Sequence, residues 1–370
     1  MPLPHHVPLV ETTRGPIVES IHYGSLAVCD PTGSLIAALG DPDAPVFLRS
    51  SSKPFQVLPL VEGGGMERFG LTERELAVMC ASHHGTDEHV RVIMGIQQKL
   101  GVSAADLLCG THSPSDPATA ERMFLNHEEN SPLRHNCSGK HTGMLAQALL
   151  FGEPTADYIN PHHPVQQRIL RAFSEMTGVP VEHILLGTDG CSAPVFAVPL
   201  RAAAYAFARL ADPVDLPEPR RSALERIFKA MTSNPDMVAG PGAFDTDLMT
   251  AGRGKILTKG GAEGYQALAL LPGASPTYPG ALGITLKISD GDLTPRDRTI
   301  KIARIAPDGG GRARSTVAVE ALRQLGALED AQLELLQDYL PRPVYNWRHI
   351  EVGVIRPTFE LFPPQNKAQI

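Results

Sequence analysis

Short apolar stretches set between turn residues lie at both ends of this chain, and helical patterns fill the middle. Ile17 to Leu39 reads as a hairpin, because Gly24–Cys29 and Ser34–Leu39 flank the turn composition Asp30-Pro31-Thr32-Gly33. Towards the other end, Lys255–Thr258, Tyr265–Leu271 and Leu282–Ser289 alternate with Gly-rich turns, which predicts an antiparallel meander, and Glu351–Arg356 reads as a late strand. Between them, Lys53-Pro54 suits a helix first turn. Thr72 with Glu75 opens a helix over Thr72–Ala81, and Asp87–Leu100 is a second. Thr142–Phe151 and Pro164–Thr177 are closed by Gly152 and Gly178, and Arg220–Thr232 and Arg314–Leu325 are further helices. Ile184–Leu186 reads as a short buried strand running into Gly187–Cys191. Strands from both termini around a helical middle predict an α+β chain with one antiparallel sheet built from both ends. We expect a single domain over residues 1–370, β-rich over about 17–40 and 250–357 and helical over about 48–235, with Asp212–Pro219 as its longest loop.

Composition narrows the function classes. With 33 Lys+Arg against 40 Asp+Glu among 370 residues, the net charge of -7 does not favour nucleic acid. No apolar run reaches the length of a membrane span, and Met1–Leu9 lacks the apolar core of an export signal, so a cytoplasmic protein is expected. Five widely spaced cysteines, Cys29, Cys80, Cys109, Cys137 and Cys191, do not form a disulfide framework.

Four groups of residues carry chemistry. Ser50-Ser51-Ser52-Lys53 places a serine three residues before a lysine, on one face of a helix. A serine hydroxyl needs a base, and a lysine serves only when it is neutral. Taken alone, the pattern is equally a Ser-rich helix cap. Lys259-Gly260-Gly261 follows a strand and leaves room for a substrate at the backbone, though a loose hairpin turn has the same composition. Cys137 and Lys140 together with the distant Cys191 contain two soft ligands for zinc, or else two buried thiols. Cys80-Ala81-Ser82-His83 is dense in polar groups at a helix end, with Ser82 as a second nucleophile or proton carrier.

Five ordered segments together carry a resemblance that none carries singly. Leu48–Gln56, Cys80–His83, Asn136–His141, Gly187–Cys191 and Lys259–Gly264 resemble the rhizobial-type L-asparaginases, the asparaginase II family, and the similarity runs from about Val18 to Pro357. The resemblance implies a serine β-lactamase-like α+β fold and a homodimer. It also implies two Ser–Lys pairs, Ser50 with Lys53 and Ser82 with Lys259, and a zinc site on Cys137, Lys140 and Cys191. Arg49, Asp189 and His141 match positions that bind the substrate. The expected reaction is hydrolysis of L-asparagine to L-aspartate and ammonia through a β-aspartyl ester on Ser50, with no nucleic-acid or membrane partner. A glutaminase, another amide hydrolase of the same fold such as a peptidase, and a zinc-dependent asparagine sensor without turnover are the alternatives.

Overall fold

The computed structural model describes residues 3–292 and 311–362. Part of the expected C-terminal β-rich stretch, 293–310, lies outside them. The strands in chain order are β1 (Val7–Arg14), β2 (Ile17–Cys29), β3 (Leu35–Leu39), β4 (Pro45–Phe47), β5 (Leu185–Thr188), β6 (Pro194–Pro199), β7 (Ile256–Gly261), β8 (Tyr265–Leu270), β9 (Leu282–Ile288), β10 (Arg342–Tyr345) and β11 (Glu351–Pro357). The main sheet runs β10-β11-β1-β2-β9-β8-β7, with β3 also on β2, and every pair in it is antiparallel. β2 is long enough to pair β1 along Ile17–Gly24 and β3 along Leu26–Cys29. First and last strands are neighbours, as an α+β chain with a sheet built from both termini requires. A small second sheet, β4-β6-β5, sits among the helices.

Strand alternation gives the sheet two buried faces. Ala27, Cys29, Leu257, Ala267 and Ala269 join a cluster with the helices Lys53–Glu62, Pro164–Thr177 and Leu200–Ala211. Leu26, Val28, Ile256, Leu268 and Leu270 join another with the helices Phe244–Ala251 and Arg314–Gln324. The first face is rich in alanine, which lets the alanine-rich Leu200–Ala211 helix lie close against the sheet.

The structure departs from the sequence expectation in several places. Leu200–Ala211 and Phe244–Ala251 are helices that the pattern does not announce. The first continues directly from β6 at Pro199 without a Gly, Ser or Asn to mark its start. Strands β1, β4, β6 and β10 are likewise additional. The stretch expected as a buried strand at Ile184–Leu186 is the edge strand β5, with Leu185 and Leu186 exposed. The helix expected from Thr142 starts at Ser138, with Cys137 as its N-cap. Gly139 belongs to the first helical turn. A side chain there would put Cβ 2.0 Å from the Val78 carbonyl oxygen, so glycine is required by close packing. Among the described residues no helix is long and apolar enough to cross a membrane.

Candidate active site

Three segments converge at the edge of the main sheet. The 3-10 turn Arg49–Ser52 leads into the Lys53–Glu62 helix and abuts β7, where Ser51 Oγ donates to the Lys259 carbonyl oxygen at 2.7 Å. Gly261 permits this approach, since a Cβ there would stand 2.3 Å from the Leu48 carbonyl oxygen. Ser82 follows the Glu73–Met79 helix, which starts with the capping box formed by Thr72 and Glu75, and its N–H donates to Val238 O at 2.9 Å. His83 ties this segment to the third. Gly85 N–H donates to His83 Nδ1 (3.1 Å), which leaves the ring proton on Nε2 to donate to Ser138 Oγ (2.9 Å) at the start of the Ser138–Leu150 helix. Burial holds His83 well below the usual imidazole range, so it serves as a neutral strut.

Both candidate lysines are only 1% exposed and reach the same hydroxyl. Lys53 Nζ donates to Ala81 O (2.5 Å), Ser82 Oγ (2.9 Å) and Asn136 O (3.5 Å). Lys259 Nζ lies 2.9 Å from Ser82 Oγ and 2.9 Å from Gly260 O. The resemblance describes two Ser–Lys pairs; the geometry joins Lys53, Ser82 and Lys259 in one chain. Burial pushes the Lys259 amine down to about 8, with Lys53 and Arg314 adding to the effect and Asp245 opposing it. Both amines donate to the Ser82 hydroxyl, and above about pH 8 a neutral Lys259 could take the Ser82 proton instead.

Ser50 faces a cleft of ≈ 160 Å³ whose wall includes Ser82, Asn136, Lys259, Gly260 and Arg314. A cavity of about 150 Å³ takes a benzene-sized molecule, so the cleft suits a small amide. Among the described residues the Ser50 hydroxyl has no hydrogen-bond partner and is open to a ligand. Arg49, immediately before it, has φ 50°, a left-handed conformation that is strained for a residue with a Cβ and is held by its Nε bond to Asp189 Oδ1 at 2.6 Å.

Asp189 leads to the second cluster. Its Oδ2 is 3.9 Å from Cys191 Sγ, and Lys140 Nζ is 2.8 Å from the same sulfur. The adjacent Cys191 draws Cys137 well below the usual thiol range despite burial, while Cys191 itself is pushed up. Although burial opposes it, the two sulfurs raise the Lys140 amine. Two thiol sulfurs and an amine thus share protons in a buried pocket, and a soft divalent cation can replace those protons. The donor set fits zinc on that ground. Among the described residues there is no group of three His, Cys, Asp or Glu around one point, and Lys140 Nζ is the further nitrogen donor beside Cys191.

His141 is buried beside this cluster. Leu108 N–H donates to the Tyr158 hydroxyl (2.8 Å), which lies 2.8 Å from His141 Nδ1. With Tyr158 donating to Nδ1, the ring proton sits on Nε2, which has no hydrogen-bond partner among the described residues. Arg49, Asp189 and His141 are not among the residues that line the Ser50 cleft. Cys29, Cys80 and Cys109 are buried core residues whose thiols burial pushes up to about 11, 12 and 12. Sequence reasoning missed Asp245 and Arg314, which have no neighbouring motif, and Gln266, which lies just past Lys259–Gly264.

Comparison with known proteins adds the family. Solved structures with similar folds include Mglu in its native form, at 16% identity over 83% of this chain and 65% of that one, with a TM-score of 0.41. Another is a probable glutaminase from Bacillus subtilis in complex with 6-diazo-5-oxo-L-norleucine, at 11% identity over 82% and 84%, with a TM-score of 0.35. The chain spans about two thirds of the length of Mglu. None of the curated proteins matches this sequence. The profile of the L-asparaginase II family matches residues 10–302, most of the chain and every catalytic and metal-ligand candidate named above. The chain belongs to the L-asparaginase II family.

Proposed function

We propose that the protein hydrolyses L-asparagine to L-aspartate and ammonia through a β-aspartyl ester on Ser50. The observation that carries this reading is the Ser82 hydroxyl held 2.9 Å from both Lys53 and Lys259, beside the cleft that Ser50 faces. Ser50 Oγ attacks the side-chain amide carbon. The proton it sheds enters the Lys53–Ser82–Lys259 chain, whose open acceptor is the Lys259 amine. As the C–N bond breaks, Ser82 returns a proton to the departing nitrogen, which leaves as ammonia. Water then splits the ester by the same chain acting in reverse, giving aspartate and free Ser50. The Arg49–Asp189 pair lies outside the lining of the Ser50 cleft but next to Ser50 in the chain, and it matches the two ends of an amino acid: the guanidinium would take the α-carboxylate and the carboxylate the α-ammonium. His141 Nε2–H is a further donor for the substrate. Cys137, Lys140 and Cys191 would hold zinc, which supplies a fixed positive charge beside Asp189 when bound. A homodimer belongs to the same reading and is checked by light scattering.

The test is ammonia release from L-asparagine, with L-glutamine in parallel. One extra methylene alters binding by only about 1–3 kcal/mol, so a glutaminase is the nearest rival. Ser50→Ala should lose turnover by at least about a thousandfold with its fold intact. Near-full activity in that variant sinks the Ser50 assignment. Tight asparagine binding without ammonia release from zinc-loaded protein would mark a sensor instead.

A further inference from the structure

A buried carboxylate lies under Lys259, and neither the motifs nor the proposed mechanism uses it. Asp245 stands in the first turn of the Phe244–Ala251 helix and is buried. Its Oδ1 accepts from Gln266 Nε2 at 2.7 Å, and the same Gln266 nitrogen reaches Thr258 Oγ1 at 2.6 Å. Its Oδ2 accepts the Gly260 backbone N–H at 2.8 Å. With both oxygens engaged, the carboxylate stays 3.7 Å from Lys259 Nζ. That separation is too long for a hydrogen bond and short enough for a strong charge interaction in a buried site. The amine keeps its contacts with Ser82 and Gly260, and a fixed anion waits beside it.

We propose that Asp245 is the positioning residue for Lys259, aiming its amine at Ser82 and stabilising the charge it acquires when it takes the proton. This rests on the amide-hydrolase reading above. Gln266 has the complementary task of keeping Asp245 from closing directly onto the amine. Other charged or titratable groups facing Lys259 are Lys53 from the Lys53–Glu62 helix, Arg314 from the Arg314–Gln324 helix, and Cys137 at the N-cap of the Ser138–Leu150 helix, with Cys80 behind Ser82. Lys53 and Arg314 disfavour charge on Lys259, and Asp245 is the anion that offsets them.

Two variants should move Lys259 in opposite directions. Asp245→Asn removes the anion, so Lys259 loses its proton at lower pH. Gln266→Met frees one carboxylate oxygen to close on the amine, so Lys259 loses its proton at higher pH. Lys259 can be titrated directly in substrate-free protein by trace acetylation with acetic anhydride across pH 6–10, quantified by mass spectrometry of the peptide carrying Lys259. We expect the midpoint to fall by about one unit or more in the first variant and to rise in the second. Alongside, kcat for asparagine should fall at least about thirtyfold in Asp245→Asn, with KM changed less than about threefold.

If Lys259 titrates at the same pH in wild type and in both folded variants, Asp245 does not set its charge and the proposal is overturned. Should Asp245→Asn fail to fold, Gln266→Met alone decides by whether its midpoint rises. An unmoved or lowered midpoint there counts against the proposal. Because labelling needs no substrate, wild-type protein that releases no ammonia would overturn the proposed function while leaving this measurement intact.

Discussion

One hydroxyl shared by two buried lysines sets the chemistry at the residue scale. Two ammonium groups on one oxygen out of water repel, which adds to burial in disfavouring charge on Lys259. Lys53 has three acceptors, and Lys259 is the amine that burial pushes down to about 8. A base accepts only when it is neutral. Below about pH 8 Lys259 therefore carries its proton and turnover falls, and above it the rate levels. The expected profile of kcat/KM is an ascending limb with a midpoint near pH 8, absent in Lys259→Met, in which residual activity should be lower by about 10²–10⁴. A limb of the same midpoint in that variant would assign it to another group. The residue types were legible from the sequence because the chemistry demands them. Their pairing was not, because Ser82 and Lys259 meet only after β7 docks on the Arg49–Ser52 turn.

The Ser138–Leu150 helix ties the two functional clusters together at the element scale. Its first turn carries Lys140 and His141, its N-cap is Cys137, and Asn136 just before it accepts from Lys53. Its position against the Glu73–Met79 helix is set by Gly139, where a side chain would strike the Val78 backbone rather than a movable group. Gly139→Ala should therefore cost about 1–3 kcal/mol of stability, read as a lower urea midpoint, and should loosen Ser82 along with it. An unchanged midpoint would show that the two helices separate freely. Nothing in Cys-Ser-Gly-Lys-His marks its glycine as a contact point; only the packed Val78 backbone does.

At the scale of the whole molecule, the cluster of Cys137, Lys140 and Cys191 joins parts of the chain that are distant in sequence. Cys137 and Lys140 come from the helical middle and Cys191 from the segment after β5, with Asp189 and Arg49 linking them to the turn that presents Ser50. A bound zinc would lock these segments, since whatever binds only the folded state stabilises it. Purified protein should carry about one zinc per chain by elemental analysis. Cys137→Ser should lose that metal, and chelation should lower the melting temperature of the wild type but not of the variant. Equal metal content in both proteins would place any zinc elsewhere.

The sequence by itself determined the α+β layout, the segments that bear chemistry and the types of side chain in them. Turn residues, helix caps and apolar alternation are local signals, and reactive side chains at short spacing are local too. The tertiary structure alone decided that both lysines meet on Ser82, that the helix at Cys137 begins four residues early, and that Asp245 lies beneath Lys259. Each of these depends on contacts between segments far apart in the chain. A distance of 3.7 Å between Asp245 and Lys259 exists only once the Phe244–Ala251 helix has packed against β7, and no pattern of neighbouring residues encodes it.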